Sequence, residues 1–173
     1  PVRLPDLKPM ESWEDPRLFH HDSSLWICWV STYHVPPFPC QIVYGRLQES
    51  ADKWEVAEYF VPQWGMNSGE AKPQERNWQF FTSDGRLYAQ YYVSPHVCLE
   101  LQGETVVNVY QERGIDWPWG SPSGGTPPVP YDDNHFITFF HAFQEHPLFH
   151  RKYNVGALVF ERAPPFKQVK VSS

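Results

Sequence analysis

Two adjacent carboxylates followed by a proline and an arginine, Glu14-Asp15-Pro16-Arg17, form the sharpest chemical cluster in the sequence. At the mouth of a strand such a group can act as a general acid or base, with Arg17 holding one carboxylate ionised. The same four residues also suit a turn closed by a surface ion pair. A second group, Glu75-Arg76-Asn77-Trp78 and Ser94-Pro95-His96, flanks a hairpin signal at Asp84-Gly85. If the strands of that hairpin pair, Arg76 and His96 return to one rim, where a guanidinium and an imidazole suit an anion such as phosphate. A solvated rim is the other reading. A third group, Gly124-Gly125-Thr126-Pro127-Pro128, would let a backbone approach a ligand closely, since glycine removes the side-chain obstacle. His141 ends a third hairpin as His96 ends the second, and is a further rim candidate.

Other chemistries find no support. The sequence has no GxSxG elbow for a serine nucleophile, and no GxxxxGK[ST] or GxGxxG for nucleotide phosphates. His20, His21, His135, His146 and His150 follow no ligand-grade pattern such as HExxH, so no metal is expected. Cys28, Cys40 and Cys98 are an odd number without metal-type spacing, and two of them lie in apolar runs. They suggest a reduced, cytoplasmic protein. A net charge of −6 without a basic run argues against nucleic acid and against an anionic membrane surface. No apolar stretch approaches the length of a membrane-spanning helix.

The elements that must position these groups are strands. Three runs, Glu14–Ser31, Arg76–His96 and Gly124–Ala142, each pass from a polar cluster into an apolar stretch, a turn signal and a second aromatic-rich stretch. That is a β-hairpin written three times. The turn aspartates lie 62 and 49 residues apart (22 to 84, 84 to 133), and sheet-sized units recurring at about 40–50 residues point to a propeller-like array. Aromatic content of 17% fits pleated, half-buried surfaces, where most of these rings pack in a core, and also suits a sugar-stacking face. Leu25–Val30 is apolar on both faces, as a strand between two layers must be. Residues 1–13 read as an extended lead-in, His34–Pro39 as a loop, and 62–75 as a break between units. Residues 111–130 read as a long loop of functional or mobile character. Helix is scarce. The expectation is one all-β domain over 1–173, with units near 14–62, 75–110 and 124–172.

At these residues the sequence resembles the five-bladed β-propeller enzymes of glycoside hydrolase family 130, the β-mannoside phosphorylases and their hydrolase relatives. Glu14–Phe19, Glu75–Trp78 with Ser94–His96, Gly124–Pro128, Tyr153–Ala157 and Ala163–Phe166 carry the resemblance, in the expected order. The resemblance implies Asp15 as the proton donor, with Glu14 and Arg17 orienting it or binding sugar hydroxyls. It places Arg46, Arg76 and His96 toward phosphate, the co-substrate in the absence of any cofactor. Trp78, Gly125, Thr126 and His141 would contact the sugar. Two departures stand out: Arg76 replaces the family's lysine, and Arg46 is the sole arginine between Arg17 and Arg76. A hydrolase would need a second carboxylate about 6.5–9.5 Å from the first, for which Glu75 and Asp116 are the candidates. The alternative is a non-catalytic carbohydrate-binding or assembly module. Three units fall short of the about 4–8 blades of a closed ring. The chain is thus a segment of a longer protein or a form that completes its propeller as a homodimer through open blade edges.

Overall fold

The computed structural model describes residues 2–3, 11–34, 40–64, 75–148 and 150–172. The chain is all-β. Its strands are β1 (Val2–Arg3), β2 (Glu11–His21), β3 (Ser24–Tyr33), β4 (Cys40–Ser50), β5 (Lys53–Phe60), β6 (Gln79–Ser83), β7 (Arg86–Tyr92), β8 (His96–Gln102), β9 (Thr105–Glu112), β10 (Ser123–Gly124), β11 (Val129–Pro130), β12 (His135–His146), β13 (His150–Glu161) and β14 (Gln168–Val171). Among the described residues there is no helix, and so none long and apolar enough to cross a membrane. The strands form three sheets, ordered β1-β5-β4-β3-β2, β6-β7-β8-β9 and β10-β12-β13-β14, with β11 also on β12. Among the described residues β1 pairs with β5 in parallel, and the pairs β2–β3, β3–β4, β4–β5, β6–β7, β10–β12, β11–β12, β12–β13 and β13–β14 are antiparallel. The chain divides into two compact units, one holding 1–76 with 101–107 and the other 77–100 with 108–173.

Local sequence explains the hairpins. Between His21 and Ser24 the two turn residues Asp22 and Ser23 both have positive φ (46° and 57°), and between Ser83 and Arg86 so do Asp84 and Gly85 (46° and 72°). That is the two-residue turn whose twist matches paired strands. Ahead of β12, Asp132 Oδ1 accepts from the Asn134 and His135 backbone N–H groups, both at 2.8 Å. The aspartate closes the turn with its own side chain.

In the first unit β3 is buried on both faces, from Trp26 to Val30. Ile27 and Trp29 pack with Val43 and Leu47 on one side. On the other, Trp26 lies against Phe19, Tyr44 and Phe60, with ring centroids 5.8–6.4 Å apart. Tyr44 Oη donates to Gly103 O at 2.6 Å.

The second unit is built on rings. Phe81 meets Phe136, Phe160 and Phe166 edge-to-face at 5.2, 5.7 and 5.4 Å, and Tyr88 meets Phe166 at 4.8 Å. This geometry adds to the area each ring removes from water. Trp117 packs edge-on against Phe140 at 4.9 Å and 79°. The long loop expected over 111–130 is therefore anchored in the core and carries two short strands. Residues 35–39 and 65–74, both expected as loops, and most of the lead-in lie outside the described residues. Glu11–Trp13 of that lead-in belong to β2 instead.

Gly124 lies against the chain at Asn77: a Cβ there would stand 2.2 Å from Asn77 O and 2.9 Å from Gln79 Cδ. Backbone cannot retreat as a flexible side chain can. Gly124→Ala is expected to destabilise by about 1–3 kcal/mol, read as a lower urea midpoint at unchanged m-value.

Candidate functional site

The Glu14–Arg17 cluster sits inside β2 rather than at the mouth of a strand. Glu14 pairs with Val30 and Arg17 with Cys28, so Asp15 and Pro16 together face Trp29 alone. This two-against-one count is a β-bulge. It explains how proline is tolerated within a strand, since the bulge frees it from the ladder. Asp15 takes a left-handed φ of 53°, a region that aspartate enters more readily than most residues. Asp15 and Pro16 are both exposed, and the Asp15 carboxylate has no hydrogen bond or ion pair with the described residues.

The cation at Glu14 is Arg76, not its neighbour Arg17. Arg76 Nη1 donates to Glu14 Oε2 at 2.8 Å, with both side chains about a third exposed (36% and 37%). This hydrogen bond, with the attraction of the charge, outweighs desolvation and holds the Glu14 carboxyl below its ordinary value. Arg76 is raised in return, chiefly by Glu14. The pairing is anchored by the backbone, where Glu75 N–H donates to Cys40 O at 3.0 Å. Cys40 lies beside Arg76, and burial raises its thiol despite that charge. On the other side Ser12 Oγ lies 3.4 Å from Glu14 Oε1 and 2.7 Å from His34 Nε2. A polar chain from His34 through Ser12 and Glu14 to Arg76 thus runs beside the bulge. Sequence spacing gave no signal for Ser12 or His34.

Arg17 stands across from Cys28, whose thiol is pushed up to about 12 by burial, against a smaller opposing effect of Arg17. Arg46 is engaged elsewhere: its Nε donates to Glu58 Oε1 at 2.7 Å. It lies six residues along β4 from Cys40, about 20 Å at strand rise. Arg46 and Arg76 therefore do not share a site.

The remaining candidates belong to the second unit. His96 was expected on a rim and is instead 1% exposed, its ring 5.0 Å from Phe160 and its Nε2 3.6 Å from Cys98 Sγ. Burial pushes its pKa down to about 4, so at neutral pH it carries no charge with which to hold phosphate. The residue opens β8, and alternation turns it toward the ring core. Trp78 is 2% exposed, with Tyr91 edge-on at 5.2 Å, and offers no open face to a sugar. At Gly125 the close approach is to the protein itself. Its N–H and that of Thr126 both donate to Phe139 O (3.1 and 3.0 Å), and Thr126 Oγ1 accepts from Phe139 N–H at 3.1 Å. A Cβ on Gly125 would meet Phe139 O at 2.7 Å. His141 lies mid-strand in β12 opposite Val155, because β12 runs on to His146.

One buried acid escaped the sequence reading. Glu100, 7% exposed, accepts from Asn108 Nδ2 (2.8 Å), Tyr110 Oη (2.9 Å) and Arg86 Nη1 (3.2 Å). Desolvation opposes its ionised form, but these donors together lower its carboxyl pKa. A charged residue within the apolar strand HVCLELQ was the available signal. With donors on both oxygens, its evident role is to tie β7, β8 and β9 together.

Two outcomes follow. His96 is neutral when folded and has an ordinary value of 6.5 when unfolded, so its contribution is complete above about 6.5 and is lost as pH falls toward about 4. The loss amounts to about 3 kcal/mol. His96→Leu should flatten the stability profile across this window in urea titrations, whatever its absolute stability. Arg76→Met should let the Glu14 carboxyl return upward toward its ordinary value, seen by carboxyl NMR titration, at a stability cost of about 1 kcal/mol or less.

Compared with known proteins, the chain matches no protein-family model and no curated protein.

Proposed function

We propose that this chain is a carbohydrate-active protein of the glycoside-phosphorylase type, and that it meets its sugar at the bulge of β2. The observation that carries this reading is the division of labour between two adjacent acids. Glu14 is committed to Arg76, while Asp15 is held out by a left-handed backbone with its carboxylate unengaged. Bulges re-aim side chains in this way next to functional sites. The Glu14–Arg76 pair supplies fixed acceptors and donors for sugar hydroxyls, and Asp15 supplies the group able to exchange a proton. In phosphorolysis of a mannoside-type substrate, a phosphate oxygen would attack the anomeric carbon. The bond from that carbon to the glycosidic oxygen would break, and the Asp15 proton would pass to the leaving oxygen. A single carboxylate suffices for that reaction, whereas an inverting hydrolase needs two.

A second reading, a carbohydrate-binding module without turnover, is favoured by the phosphate side. His96 is buried and uncharged, and Arg46 is paired with Glu58 far along β4 from Arg76. Of the three residues assigned to phosphate, Arg46, Arg76 and His96, Arg76 is then the one left to face an anion.

One titration separates the two. A β-linked mannobiose is added to the purified chain while binding is followed by calorimetry and phosphate consumption by colorimetry. Binding with turnover that falls about 100-fold or more in Asp15→Asn supports the enzyme. Binding without turnover, weakened by Arg76→Met, supports the module. No binding to mannosides or to other oligosaccharides overturns both.

A further inference from the structure

The outer face of the β12–β13 hairpin has the composition of a core. Its inner face is occupied: Phe136, Phe140, Leu158 and Phe160 fill the ring cluster. Alternation sends the residues between them outward. Four successive cross-strand pairs on that outer face, from Ile137–Val159 to Phe143–Tyr153, consist of apolar and aromatic residues apart from His141. They are left open. Phe139 is 47% exposed, Phe143 41%, Tyr153 58% and Val155 71%, and Val129, paired with Ile137, is 52% exposed. At the usual size of such side chains, these five present roughly 500 Å². That is near the upper end of what a monomer leaves exposed in one patch, and more than half of the roughly 800 Å² per partner in a stable interface.

We infer that this face packs against the same face of a second copy of the chain, about a two-fold axis running parallel to the strands between β12 and β13. The arrangement follows from register. Such an axis lays β12 of one copy over β13 of the other, so Phe139 meets the small Ala157, and Phe143 meets Tyr153. At the hairpin end the next cross-strand pair is Glu145 and Arg151, with the Arg151 guanidinium 4.5 Å from the Phe143 ring. The same axis brings Glu145 of each copy to Arg151 of the other. An apolar centre with a polar margin is how protein interfaces are built. A sugar would find few hydrogen-bonding groups on this face. The contact is face-to-face, unlike the edge pairing expected from the sequence, and it does not rest on the carbohydrate reading.

Light scattering and sedimentation equilibrium on the purified chain test it. The wild type is expected at twice 20.3 kDa. Phe143→Glu and Tyr153→Glu, each confirmed as folded by circular dichroism, should each weaken association about 30-fold or more. Arg151→Glu should weaken it as well, and adding Glu145→Arg should restore it. Tyr59→Glu, an exposed ring on β5, should leave the mass unchanged. A monomeric wild type overturns the inference, and so does a dimer that survives both aromatic replacements. Oligosaccharide binding to a monomer that Tyr153→Glu abolishes would also overturn it, by assigning the face to sugar.

Discussion

A strand that is apolar on both faces must be covered on both, and this constraint organises the molecule. β3 meets it within the first unit, where Trp26 and Trp29 point to opposite sides of the sheet and both are buried. β12 and β13 meet it on one side, through the ring cluster around Phe81 and Phe166, and leave Phe139, Phe143, Tyr153 and Val155 exposed on the other. Full cover in one place and half cover in another follow from the same alternation of side chains.

Polar groups fare differently where that alternation is interrupted and where it continues. The bulge at Asp15-Pro16 sets two residues opposite Trp29 and leaves Asp15 exposed, while the flanking Glu14 pairs with Arg76. Where alternation continues, polar groups are drawn inward and neutralised or satisfied. His96 becomes an uncharged core residue, and Glu100 becomes an acceptor for three donors. An acid therefore has a different chemical standing in a bulge, as at Asp15, than in a regular strand, as at Glu100.

Glycine shows a similar competition. Absence of a side chain permits close approach by any backbone, a ligand's or the protein's own. At Gly124 and Gly125 the chain itself takes the space, with Asn77 O and Phe139 O where a Cβ would stand. Spacing in the sequence cannot say which neighbour arrives, because Asn77 and Phe139 are distant along the chain.

Local rules alone determined the all-β class, the hairpin turns within Asp22-Ser23-Ser24 and at Asp84-Gly85, and the double-sided burial of β3. Turn conformation depends on two residues, and strand alternation on a handful. Tertiary structure decided the partners. Arg76 reaches Glu14 across 62 positions of sequence, displacing the adjacent Arg17 that spacing favoured, because the Glu75 backbone is hydrogen-bonded to Cys40 at the start of β4. It also decided that His96 faces the core and that Arg46 belongs to Glu58. Which side of a strand a residue occupies depends on register, and register is set by pairing with segments far away in the chain.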